Sequence, residues 1–236
     1  MSDTPLIEVR DLQVRRATFV LRVPEWRVEP GQVVGVVGPN GAGKTTLLET
    51  LAGLRPVTAG NVRVFGRNPW REPEAVRAAL GFMSDDMPVF DLRIAPLLRL
   101  LSGYYPTWDA ALVESLLARF RLDPRQKAHT LSKGQGTRLR LVTAMAFRPR
   151  VLVLDEPATG LDLAGRRSLL ESVLEVVRDP ERAVIVSSHQ LLDVQRIADR
   201  LLVLDQGRVV REGATDALVG EGRTLEEAIE AWGAAG

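Results

Sequence analysis

The sequence predicts an α/β fold, a mostly parallel sheet with helices on both faces. Three observations carry that expectation. Val33–Val37, Val151–Leu154 and Val184–Val186 are continuous apolar runs rich in β-branched residues, as strands buried on both faces require. Segments of helical periodicity alternate with such runs, the order of a sheet wound on both sides. A glycine-rich stretch, Gly38–Thr46, separates the first run from a helical segment.

In chain order, residues 6 to 37 read as strands: Ile7 and Val9, an alternation through Phe19, Leu21 and Val23, then the Val33–Val37 run behind a Pro30-Gly31 turn. Thr45–Leu54 is helical in pattern, with Gly53 near its end. Val62–Phe65 is a short strand, residues 73–80 are helical and Gly81–Met83 forms another short strand. From Leu92 to Arg121 a helical pattern is interrupted at Gly103-Tyr104-Tyr105-Pro106, which predicts a helical subdomain inserted into the core. Arg138–Phe147 is a helix. Leu201–Leu204 and Val209-Val210 flank Gln206-Gly207 as a hairpin, and a short amphipathic helix starts at Leu225.

At 236 residues the chain has room for one large domain with a subdomain. Net charge is +1, which gives no reason to expect a nucleic-acid partner. Cysteine is absent, so disulfides and thiol chemistry are excluded. Met1–Val9 lacks the basic start and apolar run of a leader, and no stretch approaches the roughly 20 apolar residues that cross a bilayer. Of 31 basic residues only three are lysine, Lys44, Lys127 and Lys133. Arginine so dominates the background that a lysine at position 44 is informative.

Gly38-Pro39-Asn40-Gly41-Ala42-Gly43-Lys44-Thr45-Thr46 has the spacing of a phosphate-binding loop. Glycines let backbone N–H groups curl around phosphate oxygens, and the helix start adds positive potential. Lys44 supplies a compact charge for the β- and γ-phosphates, and Thr45 a hydroxyl for Mg²⁺. Val151–Leu154 ends in Asp155 and Glu156. We expect Asp155 at the carboxyl end of the strand beside the phosphate loop, holding the metal, and Glu156 orienting or deprotonating the attacking water.

Between these stands Leu131-Ser132-Lys133-Gly134-Gln135, about 20 residues before Asp155. Here the chain resembles the ABC ATPase family, whose signature in this place is Leu-Ser-Gly-Gly-Gln. The resemblance runs from Glu8 to about Gly213. It takes in Ala158-Thr159-Gly160-Leu161-Asp162 as the D-loop and Ser187-Ser188-His189 as the switch-histidine segment. It implies a P-loop core with an N-terminal antiparallel β-subdomain (about 1–85 and 148–215), a helical subdomain at 86–147 and a helical tail at 216–236. It also implies ATP and Mg²⁺ as cofactors and a head-to-tail dimer, with a second copy or another ABC ATPase. Ser132, Gly134 and Gln135 would bind the γ-phosphate held by the partner, with His189 contacting the chain's own.

Three residues depart from the pattern. Lys133 stands where glycine is usual. Asp85, in Gly81–Asp86, stands nearest the family's Q-loop glutamine, with Asp86 one step behind, and we expect it to take over as a metal contact. Arg16 falls in the adenine-stacking slot, with Phe19 nearby. The run Ser84–Phe90, Tyr104–Asp109 and Lys133 together are similar to a bacterial exporter-type subgroup. The resemblance therefore implies a cytoplasmic ATPase on the inner face of the cell membrane, driving a separate transmembrane permease. The alternative is a soluble family member that remodels a macromolecular complex. A guanine-specific P-loop protein is disfavoured, since the chain has no Asn-Lys-x-Asp reader.

Overall fold

A computed structural model describes residues 4–87, 90–220 and 222–233, the last four as backbone alone. Met1–Asp3 of the N-terminal segment, Pro88 and Val89 of the Ser84–Phe90 run, and the last three residues of the tail lie outside it.

Strands β1 (Ile7–Arg16) and β2 (Phe19–Val28) form an antiparallel hairpin, followed by β3 (Val33–Val37) and α1 (Lys44–Leu51). Next come β4 (Ala59–Val64), α2 (Pro73–Arg77) and β5 (Leu80–Met83). Helices α3 (Ile94–Ser102), α4 (Ala110–Arg119) and α5 (Lys133–Met145) fill the stretch before β6 (Val151–Asp155). The chain continues through α6 (Leu163–Val177), β7 (Ala183–Ser187), α7 (Leu191–Ile197), β8 (Arg200–Asp205), β9 (Arg208–Ala214), α8 (Thr215–Val219) and α9 (Leu225–Gly233).

The strands make one sheet in the order β4-β1-β2-β9-β8-β3-β7-β6-β5. The half from β8 to β5 is parallel, and the half from β4 to β2 is antiparallel. A single parallel pairing, Arg22 with Arg208, joins β2 to β9. The expected N-terminal antiparallel region is thus continuous with the parallel sheet.

The two-sided burial follows from the strand period of two. Val33 and Val37, Leu152 and Leu154, and Val184 and Val186 face one core with α3–α7. Val34 and Val36, Val151 and Val153, and Ala183 and Ile185 face a second core with α1 and the β1–β2 hairpin. Each fully buried valine or leucine contributes about 1.5–3 kcal/mol. Gly35 lies between the two valine pairs because α7 comes so close. A Cβ there would stand 2.4 Å from Cγ1 of Val194.

Several boundaries differ from the sequence reading. Helix α1 stops at Leu51 because Gly53, at φ 65°, takes the left-handed position of a Schellman ending. Leu54 N–H donates to Glu49 and Gly53 N–H to Thr50, so Leu54 leaves the helix. Helix α5 starts at Lys133, five residues before the expected Arg138, because Ser132 and Gln135 form a reciprocal capping box. Helices α6 and α7 are additions, while α8 opens the expected helical tail. The signal for α6 was present: Asp162 caps Gly165 at 2.8 Å, and buried Leu169, Val173 and Val176 have helical spacing.

Candidate active site

Strand order decides what meets at the site. In β3-β7-β6 all three strands run parallel, so their carboxyl ends lie side by side. That edge carries the phosphate loop after β3, Ser187–His189 after β7, and Asp155-Glu156 after β6. Ligand sites of open α/β sheets form at such edges. Asp155 stands at the carboxyl end of β6 beside the phosphate loop, although β7 lies between β6 and β3. Asp155 reaches the loop through its side chain.

The phosphate loop is an anion cradle in shape. Gly38, Gly41 and Gly43 hold φ values of 149°, 82° and 108°. A Cβ on Gly38 would stand 2.0 Å from the carbonyl oxygen of Leu204, so only glycine fits against β8. Pro39 closes the turn by accepting from the Ala42 N–H, Asn40 is exposed, and the buried Ala42 accepts from the Gly207 N–H. Gly43 caps α1 without a side-chain bond, and the first turn holds no acid, so its N–H groups are available to an anion. Thr46 is buried, and its carbonyl accepts from the Thr50 hydroxyl at 2.7 Å.

Lys44 is buried, its ammonium donating to the carbonyls of Gly38 (2.7 Å) and Pro39 (3.3 Å). Its nearest anion is Oε1 of Glu156 at 3.7 Å. A buried cation with one distant carboxylate is suited to accept phosphate oxygens.

Asp155 is buried at the end of β6. Its Oδ2 accepts from the Thr45 hydroxyl at 2.6 Å and its Oδ1 from the Ser187 hydroxyl at 2.5 Å. Burial raises its pKa, partly offset by the two hydroxyl bonds; nearby Glu156 raises it further and Lys44 lowers it. Glu156, at φ 50°, is anchored by its N–H to the carbonyl (3.2 Å) and hydroxyl (3.1 Å) of Ser187. Its Oε2 lies 2.7 Å from Nδ1 of His189 and also accepts from the His189 N–H at 3.3 Å. Lys44, Thr45, Asp155, Glu156 and His189 therefore form one connected constellation.

These groups fit a nucleotide with Mg²⁺: a glycine cradle, a buried ammonium, and one hydroxyl and one carboxylate joined to each other. Among the described residues no cluster of three or more His, Cys, Asp or Glu could hold a metal. A magnesium ion carried in on phosphate, keeping water ligands, needs no such cage.

Other predicted site residues stand apart from the constellation. Ser132 and Gln135 cap one another at the exposed start of α5, at 3.3 Å and 3.0 Å. Gly134 packs inward, where a Cβ would stand 2.7 Å from the Gly160 carbonyl oxygen. Asp85, expected as a metal contact, lies against the start of α5. Its Oδ1 accepts from Arg140 at 2.6 Å and its Oδ2 pairs with Lys133 at 3.1 Å, so both oxygens are engaged by cations of α5. Arg16 is exposed at the hairpin tip, in register with Phe19. It is the Phe19 ring that reaches the phosphate loop, with Cζ 3.0 Å from where a Gly43 Cβ would stand and Cε2 3.1 Å from that of Gly207. Phe19 also lines an open cleft of about 610 Å³ with Thr18, Arg22, Gln206 and Arg208. Phe19, the first residue of β2, also packs partly buried against the second core, so one ring serves both the core and the cleft.

A second, more enclosed cavity of about 290 Å³ lies away from the phosphate loop. It is apolar, lined among others by Leu54, Phe82, Met87, Phe90, Leu101 and Tyr105.

The constellation, a signature-like helix start and the strand order agree with what known proteins show. The model of the family described as ABC transporter matches residues 21–159. The chain belongs to the ABC transporter family. It is 37% identical over 201 residues to the daunorubicin resistance ATP-binding protein DrrA3 of Streptomyces coeruleorubidus, covering 83% of this chain and 63% of that one. It is 34% identical over 200 residues to the Nod factor export ATP-binding protein I of Paraburkholderia xenovorans, covering 82% and 66%. The chain thus spans about two thirds of the length of these relatives. A solved structure described as the ATP binding subunit of an ABC transporter superposes with a TM-score of 0.87 at 28% identity, over 97% of this chain and 99% of that one.

Proposed function

We propose that this ABC-family chain is the ATP-binding and ATP-hydrolysing subunit of a transporter, powering a separate transmembrane permease by nucleotide-sandwich dimerisation. The observation that carries this reading is the convergence of Lys44, Thr45, Asp155, Glu156 and His189 beside the glycine cradle.

The start of α1 and Lys44 hold the β- and γ-phosphates, with Gly38–Thr46 wrapping them. Phe19 offers the base a wall in the adjoining cleft, with Arg16 opposite it in the hairpin. Thr45 and Asp155 would hold Mg²⁺, which when bound neutralises phosphate charge. Glu156 orients the attacking water and takes its proton at a carboxylate oxygen, while His189 fixes that carboxylate and reaches towards the γ-phosphate. Ser132, Gly134 and Gln135 of a second copy or a related ATPase close the site. Leu163, 85% exposed, and Leu192, 53% exposed, flank it and supply apolar surface for that closure.

The apolar cavity, lined in part by Phe82, Met87, Phe90, Leu97, Leu101 and Tyr105, supports a membrane partner over a soluble complex, because it offers an apolar segment of that partner a recess to dock in. No helix among the described residues is long and apolar enough to cross a membrane. The named activities of the relatives, drug resistance and Nod factor export, favour export, with this subunit on the inner face of the membrane.

Two measurements test the reading. Purified chain should hydrolyse ATP only with Mg²⁺, and pull-down from native membranes should recover a polytopic membrane protein in stoichiometric amount. Recovery with ribosomes or a DNA-repair complex would overturn the transporter assignment.

A further inference from the structure

Two of the three residues that differ from the family pattern touch one another. Asp85 stands near the usual glutamine, Lys133 stands in place of a usual glycine, and the ammonium of Lys133 lies 3.1 Å from Oδ2 of Asp85. Oδ1 of the same carboxylate accepts from Arg140 at 2.6 Å, two turns further along α5. Both oxygens of Asp85 thereby bind one face of the helix that Ser132 opens.

Lys133 also reaches a third segment. Gly160 holds φ 78°, and a Cβ there would stand 2.9 Å from Cγ and 3.2 Å from Cδ of Lys133, so the lysine stem lies directly over that glycine. Around this crossing, the Thr137 hydroxyl donates to the Thr159 carbonyl at 3.2 Å, and Arg138 pairs with Asp162 at 3.0 Å. Asp85 itself belongs to the loop that leads from β5 to Met87, which lines the apolar cavity. One lysine side chain thus spans the signature helix, the D-loop and the loop at the cavity.

We propose that Asp85 and Lys133 work as a matched pair that positions the signature helix and ties it to the cavity loop. Lys133 is a positioning residue: its ammonium is anchored by Asp85, and its stem holds the 158–160 segment against α5. The pair replaces a glutamine–glycine combination and functions only as a pair. Lysine without its carboxylate leaves a loose cation over Gly160. Aspartate without the lysine leaves one oxygen unpaired. This inference rests on the sandwich reading for its effect on ATP use, but not for the contact itself.

The experiment is a double-mutant cycle in the full chain: wild type, Asp85→Gln, Lys133→Gly and the double variant. Glutamine at 85 retains an oxygen to accept from Arg140, whose guanidinium is largely buried, so the fold survives. Each single variant should raise the KM for ATP about 3- to 10-fold with kcat little changed, the range of coupling between contacting groups. The double variant should return to within about 2-fold of wild type. Amide hydrogen exchange at 84–87 and 133–137 should quicken in both single variants and recover in the double. Effects that multiply in the double variant, or exchange that no single variant alters, overturn the proposal. Were Glu156→Gln not to dimerise with ATP, the sandwich reading would fail, and the exchange cycle alone would decide the pairing.

Discussion

The hydroxyl of Thr45 donates to Oδ2 of Asp155 at 2.6 Å, joining the first turn of α1 to the end of β6 across an intervening strand. Asp155 is buried without a cation in direct contact, and that burial raises its pKa. The folded state therefore holds this proton more tightly than the unfolded chain. The resulting cost is absent at pH below the unfolded value of about 3.9, grows as pH rises through the raised folded value, and is complete above it. Asp155→Asn should raise the Tm of the nucleotide-free chain and flatten that pH dependence, while abolishing Mg²⁺-dependent hydrolysis. Thermal unfolding from pH 4 to 8, read beside ATPase assays, checks both; a lower Tm would contradict the account.

Glu156 sits between Lys44 and His189, at 3.7 Å and 2.7 Å. Glu156→Gln keeps the shape and removes the proton acceptor, so kcat should fall by about 10²-fold or more, with ATP trapping a dimer. His189→Ala frees the carboxylate and should lower kcat by about 10-fold or more with nucleotide affinity retained. Steady-state kinetics and sedimentation with ATP measure these. A Glu156→Gln chain that still turns over normally would remove Glu156 from the chemistry.

Lys44→Ala should lose nucleotide affinity by at least about 10-fold, since it removes the buried ammonium held on the Gly38 and Pro39 carbonyls of the cradle. Gly38→Ala should act through the fold instead. Its Cβ would meet the Leu204 carbonyl at 2.0 Å, so β8 must shift, at a cost of about 2 kcal/mol or more. Fluorescent-nucleotide titration separates the first effect from the second, which denaturant unfolding reports.

Leu54 and Phe90 line the apolar cavity at 49% and 46% exposure. Leu54→Ser and Phe90→Ser should leave Tm within about 1–2 °C, as exposed substitutions usually do. Recovery of the membrane protein in pull-downs should fall several-fold. Unchanged recovery would move the docking surface elsewhere.

Much of the site was readable because its chemistry is local in sequence. Gly38–Thr46 needs glycine at fixed spacings for backbone N–H groups to converge, and Asp155-Glu156 closes a run whose composition marks a buried strand. Helix α5 was misjudged at its start because a capping box adds no apolar period; Ser132 and Gln135 reveal it only by their spacing of three. Helix α6 was missed although Asp162 and its buried positions were all in view. Phe19 was weighed against Arg16 by counting positions, and distance in space favoured the aromatic ring.

By itself the sequence determined the α/β class, the phosphate loop, the acids after β6 and the membership signalled by Leu131–Gln135. Periodicity and backbone chemistry act over a few residues, so they are legible without a fold. Only the tertiary structure decided that β7 lies between β3 and β6, that Asp85 binds Lys133 and Arg140, and that Lys133 crosses Gly160. Those relations join residues from 27 to 151 positions apart, and no local preference specifies them. They follow from strand order and from which side chains a shared core brings within a few ångströms of one another.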